Sequence, residues 1–220
     1  MPNEKLTVGY IDHNLEIFAE FLGKSLTAFD ASQYEVLSTT DKDCPSKNYN
    51  SILERSANRY VVLVHYDVLL PTNFLDAVHN TVEQHPDFGV LGLVGFFPFE
   101  NHNRLTIGAT VSKPCLVDFF DPLCILVNKD NALKFDEVEF DGLHLYVEDY
   151  CMQAIEKGLK NYTVLLDITT VQHLGNTYSK SGQMWGDYSE CYWRFMKKWS
   201  IRLSRPIFED LPTGRRIIDV

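Results

Sequence analysis

His65 and Asp67 have the residue types and spacing to hold a divalent cation. They follow Tyr60-Val61-Val62-Leu63-Val64, whose unbroken aliphatic run over residues 61–64 predicts a buried strand of a parallel sheet. An imidazole and a carboxylate two residues apart project to the same side of an extended backbone. A strand end therefore presents both at the carboxyl edge of the sheet, where open α/β sheets bind their ligands. The plainer reading makes His65 a hydrogen-bonded edge residue and Asp67 the cap of a turn.

The elements that must position this pair alternate along the chain. Residues 6–11 read as a strand closed by Asp12-His13-Asn14. Leu15, Phe18, Leu22 and Leu26 follow helical spacing, which predicts one helix from residue 15 to about 28. A second strand is expected at 34–39, a polar loop at 41–46 and a helix over 48–58. After the central strand, Thr72 reads as the N-cap of a helix carrying Phe74, Leu75, Val78 and Val82 on one face, ended by Pro86. Residues 88–97 read as one core strand, 98–113 as an irregular surface excursion, and 117–128 as renewed strand around Asp118 and Asp121. An acidic loop at 134–142 leads to a helix over 146–157 that Gly158 can terminate, then to a last strand at 162–168. Tyr188, Tyr192, Phe195 and Trp199 mark an amphipathic helix at about 183–200. The β-α-β opening implies parallel pairing, and the class is α/β, a three-layer α/β/α sandwich with a mostly parallel central sheet.

Length and composition narrow the functions. A chain of 220 residues can form one domain with a substantial core, so 1–220 reads as a single domain. The net charge of −10 argues against nucleic acid as a partner, which needs a basic footprint. An acidic chain that takes an anionic ligand needs a metal or local basic residues between the two charges. Five widely spaced cysteines without a CxxC pair predict thiols in a reducing compartment. With no signal peptide or transmembrane run in the sequence, the expected location is cytoplasmic.

Several segments in order carry a resemblance: Asp12 and Asn14 after the first strand, Asn48-Tyr49-Asn50 before a helix, His65-Tyr66-Asp67-Val68, Asp121 before a short strand, Phe135-Asp136-Glu137, Phe140-Asp141-Gly142 with His144, Asp149-Tyr150-Cys151, and His173 after the final strand. This pattern resembles the family 2-like glycosyltransferases of the GT-A fold. It is most similar to the group whose strand ends in His-Gln-Asp-Val in place of Asp-x-Asp, which includes domains related to streptomycin-biosynthesis proteins. The resemblance runs over roughly residues 6–199.

The resemblance implies a nucleotide-diphosphosugar donor, a divalent metal and inversion at the anomeric carbon. Asp67 matches the carboxylate that binds metal and diphosphate, His65 stands at the first acidic position of the usual motif, and His173 falls where a further metal ligand is supplied. Imidazole suits Mn²⁺ better than Mg²⁺. Asp12, Asn14, Thr39 and Asn48 fall in the nucleoside-binding region, although Asp12 and Asn14 also read as a turn and a helix cap. Asp121 matches a donor- or acceptor-facing carboxylate. Asp149 is expected as the general base by its register before Cys151, with Glu148 the alternative one residue earlier. The sequence departs from the family at Val147, which stands where an acidic residue is expected, and at the shortened Thr39-Thr40-Asp41.

Two functions follow. One is a metal-dependent glycosyltransferase acting on a glycan or lipid-linked acceptor hydroxyl. The other is a catalytically silent module that binds a nucleotide or glycan, which Val147 favours. Arg194, Lys197, Lys198, Arg202 and Arg205 near the aromatic helix add the expectation of peripheral membrane contact, against the alternative of a solvated polar face.

Overall fold

The computed structural model describes residues 4–40, 44–97, 105–175 and 184–202. In chain order these form β1 (Leu6–Ile11), α1 (Leu15–Glu20), α2 (Leu22–Ala28), β2 (Tyr34–Thr39), α3 (Pro45–Arg55), β3 (Tyr60–Val64), β4 (Val68–Leu69), α4 (Phe74–Gln84), β5 (Phe88–Gly92), β6 (Val94–Phe97), β7 (Leu105–Gly108), β8 (Leu116–Val117), β9 (Phe119–Phe120), β10 (Cys124–Asn128), α5 (Tyr146–Glu156), β11 (Lys160–Thr163), β12 (Gln172–His173) and α6 (Met184–Arg202).

The aliphatic run at the centre of the sequence becomes the centre of the sheet. A seven-stranded sheet has the order β2-β1-β3-β10-β5-β11-β8. β1 pairs in parallel with β2 and β3, and β5 with β11, while β10 and β8 run against their neighbours. Every residue of β3 is buried. Its alternation divides the interior: Val61 and Leu63 join one core with Ile52 of α3, Val147 and Tyr150 of α5 and Phe195 of α6. Tyr60, Val62 and Val64 join the other with Leu22 and Leu26 of α2 and Phe74 and Val78 of α4. Helices thus cover both faces, as a sheet with continuous apolar strands requires. Each such aliphatic side chain contributes about 1.5–3 kcal/mol by burial.

Two small sheets stand beside the main one. β6 is flanked by β7 and β9, and β4 pairs with β12. Gly92, at the end of β5, lets the ring of Phe120 lie against the sheet: a Cβ there would meet Phe120 Cδ1 at 2.4 Å.

The boundaries differ from expectation at several places. The helix expected over 15–28 breaks at Phe21 (φ −111°, ψ −93°) into α1 and α2. The strand expected over 88–97 is β5 and β6, which belong to different sheets. Part of the expected excursion at 98–113 is strand β7, because it completes β6 on one edge, and 117–128 contains β9 and β10 separated by a turn. Asn73, not Thr72, precedes α4 and makes no side-chain cap. The strand expected at 162–168 is β11 at 160–163, so most of that stretch lies beyond it. Residues 41–43, 98–104 and Arg205, together with the side chains of Trp185 and Arg202, lie outside the described residues. None of the five cysteines is in a disulfide.

Candidate active site

His65 and Asp67 follow β3, but they sit in a turn and not in extended chain. The Val68 amide donates to the His65 carbonyl (3.3 Å), and the His65 amide donates to the Leu123 carbonyl (2.9 Å). The turn feeds β4, whose antiparallel pairing sets Val68 opposite His173, and the Leu174 amide donates to the Asp67 carbonyl (3.1 Å). This two-residue ladder brings His173 Nε2 to 3.5 Å from Asp67 Oδ1. The rings of His65 and His173 have centroids 5.8 Å apart. One ligand atom from each of His65, Asp67 and His173 lies within 4.8 Å of the others. Ligands of one hard divalent ion sit at most about 4–5 Å from one another, so these three side chains fit such an ion.

The three groups act on one another electrostatically. Burial alone would raise the Asp67 carboxyl, but the hydrogen bond from His173 and the charges of His173 and His65 hold it below the ordinary carboxylate range. His173 is held above the ordinary imidazole value, chiefly by its hydrogen bond to Asp67 and then by the charges of Asp67 and Asp121. Burial pushes His65 the other way and favours its neutral form, which is the form that ligates a metal. Asp121 acts on both imidazoles. It is fixed by its own turn, in which Oδ1 accepts from the Leu123 amide (2.9 Å), and by its amide donating to the Val94 carbonyl (2.9 Å). His13 joins this neighbourhood: its ring centroid is 5.5 Å from that of Tyr66 and its charge acts on His65. Sequence reasoning gave His13 no role, although its place directly after β1 is the signal for it.

Because β1, β2 and β3 run in parallel, their carboxyl ends share one edge with this cluster. There the Asp12 amide donates to the Thr39 carbonyl (2.7 Å). The Thr39 hydroxyl is buried with no hydrogen-bond partner among the described residues. Asn14 accepts at Oδ1 from the amides of Glu16 (3.0 Å) and Ile17 (3.2 Å), so its side-chain oxygen caps α1. Asn48 is buried in the first turn of α3, with Nδ2 donating to the Cys44 carbonyl (2.9 Å).

The two carboxylates that open α5 have different surroundings. Asp149 is 0% exposed. Its Oδ1 accepts from Trp199 Nε1 (2.8 Å) and lies 2.7 Å from Lys198 Nζ, and its Oδ2 accepts from Gln153 Nε2 (2.8 Å). Burial raises its pKa more than Lys198, Gln153 and Trp199 lower it. An acceptor hydroxyl would have to displace one of these donors to reach it. Glu148, one residue earlier, is also buried, and its charge adds to burial in opposing the ionisation of Tyr146 and Cys151. The turn ahead of α5 is strained: Leu145, a buried non-glycine residue, has φ +63°. Val147 is fully buried in the core.

Solved structures share this architecture. A structure of S. aureus TarS 1–349 aligns over 90% of this chain and 73% of its own, with a TM-score of 0.54 and 14% identity. A longer TarS chain aligns over 74% of this chain and 35% of its own, with a TM-score of 0.53 and 18% identity. TarS 1–349 in complex with UDP-GlcNAc aligns over 87% and 66%, with a TM-score of 0.52 and 15% identity. No family model matches the sequence, and no curated protein matches it. The chain has a GT-A-like α/β fold: a mixed sheet, mostly parallel in strand direction, flanked by helices.

Proposed function

We propose that this protein is a metal-dependent, inverting glycosyltransferase that moves a sugar from a nucleotide-diphosphosugar donor to an acceptor hydroxyl. The observation that carries this reading is the His65–Asp67–His173 cluster at the carboxyl edge of a GT-A-like sheet. TarS, which shares the fold, has been solved with UDP and with UDP-GlcNAc, and this supports a uridine diphosphosugar as the donor to try first.

His65, Asp67 and His173 would hold Mn²⁺ or Mg²⁺, and two imidazoles among three ligands favour Mn²⁺. When bound, such an ion supplies Lewis-acid stabilisation of the charge that develops on the leaving diphosphate. The remaining chemistry belongs to the chain. Asp12 offers a polar group to the nucleoside at the edge beneath which the Thr39 hydroxyl is buried, and Asn14 and Asn48, whose side chains cap α1 and bond the Cys44 carbonyl, stand alongside. Asp121 orients the imidazoles and faces donor or acceptor. Glu148 takes the proton of the acceptor hydroxyl. We assign the base to Glu148 over Asp149 because the Asp149 oxygens are already occupied by Lys198, Trp199 and Gln153.

A glycan or a lipid-linked alcohol fits as acceptor. Among the described residues no helix is long and apolar enough to cross a membrane. Peripheral contact through α6 would rest on Trp193 and Lys197, because Arg194 is paired with Asp141 and Glu190, and Lys198 with Asp136 and Asp149.

The burial of Val147 and Asp149 favours the second reading, a catalytically silent module that binds a nucleotide or glycan. One experiment separates the two. Donor turnover is measured across a panel of nucleotide sugars with Mn²⁺ and with chelator. Metal-dependent release of the nucleoside diphosphate from one donor supports the enzyme. Binding without release from any donor supports the silent module.

A further inference from the structure

We infer that Lys198 is a positioning residue that sets the first turn of α5, and with it Glu148. The inference rests on the reading of Glu148 as the base. Lys198 Nζ lies 2.7 Å from a carboxylate oxygen of Asp149 and 2.7 Å from Asp136 Oδ2. One ammonium therefore ties α6 to two segments, the core of α5 and the loop that leads into it. The Asp136 end is itself organised: Oδ1 accepts from the amides of Val138 (3.1 Å) and Glu139 (3.0 Å). One turn earlier on α6, Arg194 donates to the Glu139 carbonyl (3.2 Å) and to Asp141 Oδ1 (2.9 Å). The next residue, Trp199, is fully buried and donates to Asp149. The α6 row 194, 198 and 199 thus grips residues 136–141 and position 149 at once.

Between those grips lie Leu145, with its left-handed backbone, and Glu148, adjacent to the clamped Asp149. A strained turn persists where its surroundings over-determine it. Without the ammonium, two carboxylates, one of them fully buried, would lose their shared counter-charge, and residues 136–149 would lose the contact that ties Asp136 to Asp149 through a single side chain. Lys198 contacts Asp136 and Asp149, whereas His65, Asp67 and His173 are brought together through β4 and β12, so the metal-ligand cluster is separable from the placement of Glu148.

The experiment uses the full chain with Lys198→Met and, to retain the charge, Lys198→Arg. Amide hydrogen exchange is followed over residues 136–150, and kcat, KM for the donor and Kd for UDP with Mn²⁺ are measured. Lys198→Met is expected to speed exchange over 136–150 while β1 and β3 stay protected. It should lower kcat by about ten- to hundred-fold, the scale of a misplaced catalytic group, with Kd for UDP unchanged. Lys198→Arg should recover part of the loss. Unchanged exchange over 136–150, a wild-type kcat in Lys198→Met, or a Kd for UDP that weakens in step with kcat would each overturn the inference. If Lys198→Met does not fold, Lys198→Gln, which loses the charge but keeps a polar donor, is judged by the same readouts. If the wild type turns over no donor, the glycosyltransferase reading fails, and the exchange comparison still decides whether Lys198 holds this segment.

Discussion

His173 Nε2 lies 3.5 Å from Asp67 Oδ1, and a ladder of two residues on each side is what joins them. His65 belongs to the same cluster with the opposite tendency: burial lowers its pKa, whereas the Asp67 contact raises that of His173. The two histidines therefore act on stability in adjoining pH windows.

In the metal-free protein the two imidazoles make stability depend on pH in opposite directions. The folded pKa of His173 is raised, so its contribution is complete below the unfolded value of about 6.5 and is lost as pH rises above it. The folded pKa of His65 is lowered, so the unfolded chain gains a proton first, and stability falls as pH drops below about 6.5. Thermal melts in chelator across pH 5–8.5 should show His173→Gln removing the decline above this point and leaving the one below. An unchanged alkaline limb in His173→Gln would rule out the pair as its source.

The α5 carboxylates should separate stability from turnover. Asp149→Asn leaves Lys198 its pair with Asp136 and should cost about 1.5–3 kcal/mol, the scale of a lost hydrogen bond to a charged group. Glu148→Gln keeps shape and should cost little stability while slowing transfer by roughly two or more orders of magnitude. Melting temperature and kcat, measured on both variants, test the assignment. Full activity in Glu148→Gln would return the base to Asp121 or Asp149.

Gly92→Ala tests how the sheet places Asp121. The added methyl meets the Phe120 ring, and overpacking of this kind costs about 1–3 kcal/mol. Chemical denaturation should show that loss together with weaker metal affinity, because Phe120 precedes Asp121. A variant as stable as the wild type would mean that the ring yields freely.

The central sheet is legible in the sequence because its strands are buried on both faces. Residues 61–64 could hardly be anything but core, and Phe74, Leu75 and Val78 show their face by spacing alone. His65 and Asp67 are legible as a pair, although they meet through a turn and not through extended backbone. What stays hidden depends on partners distant in the chain. Two-residue strands such as β4 and β12 carry no periodic signal, so only the family resemblance points to His173. The spacing of α5 shows that Asp149 shares a stripe with Met152, but not that Lys198 and Trp199 close over it. The basic residues of α6 look like a surface patch until their acidic partners are known. Arg194 and Lys198 are spent inside the protein, whereas Trp193 is 69% exposed.

Titration of UDP into the protein by calorimetry, with Mn²⁺ and with chelator, on the wild type and on Asp67→Asn, tests the account most directly. The wild type should bind UDP tightly only with Mn²⁺. Asp67→Asn should lose the metal-dependent part, about 1–3 kcal/mol for a lost charged contact. Equal UDP affinity with and without chelator, or an Asp67→Asn that binds like the wild type in Mn²⁺, would contradict a metal-assisted nucleotide-sugar site at His65, Asp67 and His173.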